Sequence, residues 1–177
     1  MIDGAVPPSV RVGLVSNAES VSFELKGGYS DSTGAGFEDG PGIARIIGGK
    51  IVVESFRGRV CEYSGAVDLL PVGSQSSFVI RDVMIGIDFH WERRQDQEFR
   101  GILSLVPGDD GHLTVINVID VESYLFSVIS SEMSSTARPE LLRAHAVISR
   151  SWLLAQLPAW KPSSVASSGP PAPSAGE

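Results

Sequence analysis

Apolar residues in this chain keep two different periods, and the switch between them at Asp120 separates a strand-forming part from a helix-forming part. Val10, Val12 and Leu14 alternate with Arg11 and Gly13, and Val21, Phe23 and Leu25 alternate with Ser22, Glu24 and Lys26. A period of two gives each strand one face to bury. Ala44 to Ile47 and Ile51 to Phe56 flank Gly48-Gly49-Lys50, a tight hairpin turn because glycine tolerates positive φ. From Val83 to Trp91 the odd positions are all apolar, which predicts a further strand. Ile102 to Val106 and Leu113 to Val118 are joined by Pro107-Gly108-Asp109-Asp110-Gly111 and predict a second hairpin. Residues 10–118 therefore read as a mostly antiparallel assembly, a sandwich or a partly closed barrel.

Asp120 suits a helix N-cap, and beyond it the spacing becomes helical. Val121, Leu125, Val128 and Glu132 recur four, three and four apart, which places the Glu132 carboxyl on the apolar stripe. A carboxyl in apolar surroundings either finds a partner or keeps its proton, and a held proton is what a general acid needs. The negative end of the helix dipole adds to that tendency. The plain alternative is a solvated glutamate at a helix end. Glu122, in the first turn, is explained by the favourable end of the same dipole.

Pro139 fits the first turn of a second helix running to about Leu157. Leu141, Ala144, Ile148, Trp152 and Ala155 form its most apolar stripe, with Glu140, Arg143 and Arg150 on the other side. His145 reads as a core histidine or as a polar contact behind Glu132. Arg150 reads as a solvated cation or as a holder of a carboxylate or substrate oxygen. Trp91 reads as core packing in preference to a platform for stacking a sugar. Pro158 ends the helix, and the Pro, Ser, Ala and Gly tail over 158–177 has no apolar period and is expected to be disordered.

With 177 residues, 42% of them hydrophobic and 20% charged, the chain can bury a real core and reads as one folding unit. A net charge of −7 without a basic run argues against nucleic acid as a partner. One cysteine, Cys61, excludes an internal disulfide, and the scattered His90, His112 and His145 give no metal-ligand spacing, so neither a metal nor a cofactor is expected. Gly34 to Gly42 and Gly48-Gly49-Lys50 lack the order of a phosphate loop and read as turns. No transmembrane run and no export signal are present in the sequence as it stands.

Glu122, Tyr124-Leu125, Val128, Glu132-Met133, Pro139-Glu140, Leu142, Ala144, Ala146-Val147, Arg150 and Trp152 resemble the signature of the SpoIID/LytB domain of bacterial cell-wall proteins. That signature reads E-x-Y-L, then V-x-x-x-E-M, then P-E-A-L-K-A-Q-A-V-x-A-R-[TS]-[YW]. His145 stands where glutamine is commoner, and Leu141-Leu142-Arg143 replaces A-L-K. The resemblance is specific over about forty residues and weaker in layout over 10–157. It implies a lytic transglycosylase cutting peptidoglycan glycan strands, with Glu132 as catalytic acid and Met133, His145 and Arg150 as supporting or substrate-binding residues. In LytB-type members it implies an enhancer of a cell-wall amidase.

The expected fold class is α+β, a mostly antiparallel β-rich first two thirds followed by a two-helix segment and a disordered tail. One domain over 10–157 is expected, with 10–118 β-rich and 119–157 helical. The resemblance leads to the expectation of a truncated domain, since family members continue beyond the second helix. The resemblance puts the protein in the cell envelope. Its expected partners are glycan strands and a cell-wall amidase, and the alternatives to catalysis are a noncatalytic wall-binding module and an inactive copy.

Overall fold

Alternation in the first two thirds of the chain becomes two six-stranded sheets in which every paired strand is antiparallel. The computed structural model describes residues 8–85, 93–108, 110–134 and 136–157. The chain divides into two compact units, residues 1–124 and 125–177.

In chain order the strands of the first unit are β1 (Ser9–Ala18), β2 (Ser20–Lys26), β3 (Tyr29–Ser30), β4 (Gly36–Phe37), β5 (Gly40–Ile47) and β6 (Lys50–Ser55). They continue with β7 (Arg59–Tyr63), β8 (Val67–Pro71), β9 (Ser77–Ile85), β10 (Arg93–Arg100), β11 (Ile102–Pro107) and β12 (Leu113–Asp120). One sheet is ordered β1-β12-β11-β8-β3-β4 and the other β10-β9-β2-β5-β6-β7. The predicted alternation sets the inner faces. Phe23, Leu25, Ile51, Phe78 and Ile80 from one sheet share a core with Tyr29, Leu69, Leu103, Leu105 and Val115 from the other. Each such side chain contributes about 1.5–3 kcal/mol on full burial, so this shared core is what makes the unit a sandwich. Tyr29 meets Phe78 edge-on across the sheets, with ring centroids 6.3 Å apart.

Both predicted hairpins form. Gly48 and Gly49 have φ of 59° and 77°, the left-handed pair that a two-residue turn matching strand twist requires, and Ile47 pairs with Lys50. Strand β9 begins earlier than the alternation suggested. Its predicted continuation through His90 and Trp91 lies outside the described residues.

Strand β10, sequence RRQDQEFR, was not nominated because it has no apolar face. It stands at a sheet edge, where charge discourages pairing with a second chain. Its side chains are engaged from the neighbouring strands. Arg81 pairs with Asp96 and Glu24, Arg94 with Asp82 at 2.7 Å, and Lys26 with Glu98 at 3.2 Å.

The far edges of the sandwich, β4 and β7, are tied to each other by polar contacts. Asp31, in the β3–β4 loop, is only 5% exposed, and its Oδ1 accepts from the Thr33 amide, the Thr33 hydroxyl and the Ala35 amide. Its Oδ2 accepts from the Tyr63 hydroxyl of β7 at 2.8 Å. Beside it Arg59 donates to the Gly36 carbonyl and lies over the Phe37 ring.

Two helices follow, α1 (Val121–Glu132) and α2 (Pro139–Gln156). Asp120 caps the first as expected, with the Ser123 amide donating to its Oδ1 at 2.9 Å. Pro139 opens the second, and the Leu141 and Leu142 amides donate to the Arg138 carbonyl. The most apolar stripe of α2 is not its covered side. Leu141, Ala144, Ile148, Trp152 and Ala155 are all exposed, while Leu142, His145, Ala146, Ser149 and Leu153 are half-buried. Apolar residues ring most of this helix, so choosing the most apolar stripe does not determine which side is covered. The tail over 158–177 lies outside the described residues.

Candidate functional site

Burial declines steadily along the face of α1 that carries the nominated glutamate. Val121 is fully buried, Leu125 is 7% exposed, Val128 is half-buried and Glu132 is exposed. The spacing placed these four on one stripe, and they do share one, but the stripe runs out of apolar cover before its last member. The expected apolar enclosure of Glu132 is therefore absent. Periodicity reports which residues share a face and not how far along the helix that face stays covered.

The elbow after Glu132 is held by its own backbone and by small hydroxyls. The Met133 amide completes the last helical turn by donating to the Ile129 carbonyl at 3.0 Å. The Ala137 amide donates to the Ser134 carbonyl at 2.9 Å, and Ser134 and Thr136 share a hydroxyl bond of 2.7 Å. Upstream, Ser130 and Ser131 turn their hydroxyls back onto the Phe126 and Val128 carbonyls. The Met133 bond supplies a partner for one of the last-turn carbonyls, and the two serine hydroxyls add a second acceptor bond to carbonyls within the helix.

Met133 is half-buried. His145, also half-buried, faces Ser149 one turn further along α2, with its Nδ1 3.5 Å from the Ser149 hydroxyl. His145 is thus neither a fully buried core histidine nor in recorded contact with Glu132 among the described residues. Arg150 is exposed and engaged in an interaction of its own. The structure thus puts an accessible carboxylate at the end of α1 and a histidine and an arginine on α2. It records no hydrogen bond or ion pair joining Glu132 to either of them among the described residues.

A cleft of about 340 Å³ with mixed polar and apolar walls in the first unit was not nominated by sequence. Its walls are the β10–β11 turn at Arg100, the β8–β9 loop at Ser74, the end of β12 at Asp120, and Ser9. Ser123, in the first turn of α1, completes it. No motif links these segments, since the pairing of β11 with both β12 and β8 brings them together. Burial works to raise the Asp120 pKa, but hydrogen bonds from the Ser123 side chain and amide and from the Glu122 amide outweigh it and hold the carboxyl below the usual range.

Among the described residues no group of three or more His, Cys, Asp or Glu side chains is placed to hold a metal ion. Among them, too, no helix is long and apolar enough to cross a membrane.

Comparison with known protein families gives a match over the helical segment. Residues 109–169 match the model of the SpoIID family, described as stage II sporulation protein. The match runs from the β11–β12 turn through both helices and past Pro158, and it leaves the strands up to β11 outside. No curated protein and no solved structure matches the chain significantly. The stretch carrying Glu132, Met133, His145 and Arg150 lies inside that match, which makes this part of the chain similar to a sporulation-related, cell-wall family.

Proposed function

We propose that this protein acts on peptidoglycan glycan strands as a lytic transglycosylase, with Glu132 as its catalytic acid and base. The observation that carries the reading is the SpoIID match over 109–169, with Glu132-Met133 at the elbow between α1 and α2. Exposure of the Glu132 side chain leaves it open to a polymeric substrate, and the docked strand itself would supply the cover that the free chain lacks.

In the reaction the protonated carboxyl gives its proton to the glycosidic oxygen between N-acetylmuramic acid and N-acetylglucosamine, and the C1–O bond breaks. The C6 hydroxyl oxygen of the same muramic ring bonds to C1, and its proton passes to the Glu132 carboxylate, which is ready for another turn. The product is a 1,6-anhydro sugar, and no water is consumed. A second carboxylate, required in the two-acid hydrolytic template, has no part in this scheme.

A noncatalytic reading, as a wall-binding or amidase-enhancing module of the cell envelope, is favoured by one observation. The α2 stripe of Leu141, Ile148 and Trp152 is an exposed apolar surface of the kind that meets partners. Incubation with peptide-free glycan strands separates the two. Anhydro-muramic ends that disappear in Glu132→Gln support catalysis, and strand binding with no new ends supports the module.

A further inference from the structure

The cleft beside the β10–β11 turn has the chemistry of a ligand site, and the inference drawn from it does not depend on Glu132. Cations elsewhere in the first unit are largely spoken for. Lys26, Arg45, Lys50, Arg57, Arg81 and Arg94 each stand in an ion pair with a carboxylate, and Arg59 is committed to the Gly36 carbonyl and the Phe37 ring. Arg100 differs. Among the described residues no carboxylate is in ion-pair range of it. Glu98 feels its charge, but that carboxylate is bonded to Ser77 and Lys26.

The other polar groups of the cleft sort into the committed and the available. The Ser76 hydroxyl is used by the Gly27 and Gly28 carbonyls and the Gly73 amide. Asp120 is bound by the first turn of α1. The side chains of Ser9 and Ser74 make no hydrogen bond among the described residues, and both residues, like Arg100, line the cleft. Pro71, Ile102 and Val118 supply apolar wall. At about 340 Å³ the space falls just inside the roughly 300–1,000 Å³ range of small-ligand sites.

We propose that this cleft binds a small organic carboxylate, held by the Arg100 guanidinium and the hydroxyls of Ser9 and Ser74. A guanidinium fork matches the two oxygens of a carboxylate without further help. Phosphate is served less well here, because the amides of the α1 N-terminus are already taken by Asp120 and by the Pro8 carbonyl, and because the Asp120 charge, which opposes any anion, opposes a dianion about twice as strongly as a monocarboxylate. Two sources carry the required group, the free C-terminus of a short peptide and an acidic sugar. The apolar wall suits a small side chain next to the carboxylate.

The test is a titration of the full chain, isotope-labelled for NMR, with N-acetyl-alanyl-alanine, with its C-terminal amide, with glucuronate and with inorganic phosphate. Expected are shifts at the Ser74 and Gly101 amides with one or both carboxylates and none with the amide. The carboxylate that binds identifies the source. Arg100→Gln should weaken binding by about tenfold or more, the usual scale of a lost charge-assisted pair, and Arg100→Lys should fall between. Both variants should fold, since the side chain is exposed. Equal binding of the amide, tighter binding of phosphate, no shifts with either carboxylate, or undiminished affinity in Arg100→Gln would overturn the proposal. Glu132→Gln should bind as the parent does, so failure of the glycan reading leaves this one standing.

Discussion

Replacing Tyr63 by phenylalanine removes one hydroxyl and tests whether the two sheets are tied at their edges by Asp31. The carboxyl of Asp31 is buried, and its Oδ2 accepts from Tyr63 at 2.8 Å while Oδ1 keeps three donors from its own loop. A hydrogen bond to a charged group contributes about 1.5–3 kcal/mol. The expected loss is about 2 kcal/mol near neutral pH, or roughly 4–8 °C in melting temperature for a chain of this size.

The effect must also depend on pH. The Thr33 hydroxyl most of all, joined by Tyr63 and the Ala35 and Thr33 amides, outweighs burial and holds the Asp31 pKa at about 2 against an ordinary 3.8. A depressed carboxyl contributes stability that is fully present above its unfolded pKa and is lost as pH falls through the folded value. Across that interval the contribution is about 2 kcal/mol. Tyr63→Phe removes one cause of the depression, so the gap between parent and variant should be widest near neutrality and close between about pH 4 and pH 2. Urea unfolding followed by far-UV circular dichroism at several pH values measures it. A gap below about 0.5 kcal/mol at neutral pH, the range of ordinary surface substitutions, would refute the tie, as would a gap unchanged down to pH 2.

Gly101→Ala should cost about 1–3 kcal/mol in the same unfolding assay, because φ there is +92° and an added Cβ would lie 2.5 Å from the Val118 carbonyl oxygen. Asp120→Ala should lose about 1 kcal/mol and some helical signal by circular dichroism, through loss of the α1 cap. Trp152→Gln should change stability by no more than about 0.5 kcal/mol, since the side chain is 66% exposed. A large loss on that substitution would show that the Trp152 side chain is covered in solution.

What the sequence disclosed was the side of each strand and not the neighbours of each strand. Val21, Phe23 and Leu25 announce a buried face by alternation alone, and the two glycines at 48 and 49 announce their own turn. Strand β10 gave no such sign, because an edge strand held by ion pairs needs no apolar face. Short β3 and β4 carry too few residues for any period, and their place is fixed by Asp31 and by pairing to β8. On the helical side the same limit appears as an error of coverage. Glu132 shares its stripe with buried Val121 and Leu125, yet cover comes from tertiary packing that one helix's pattern does not encode. Arg100 was invisible for a related reason, since its cleft assembles from loops distant in sequence.

The claim that Glu132 cleaves glycan without water is tested most directly by digesting peptide-free strands in heavy-oxygen water and weighing the fragments. The account predicts muramic ends one water lighter than a hydrolysis product, carrying no heavy oxygen, formed by the parent chain and absent with Glu132→Gln. Fragments that carry the label, fragments formed equally well by the variant, or no fragments at all would contradict it.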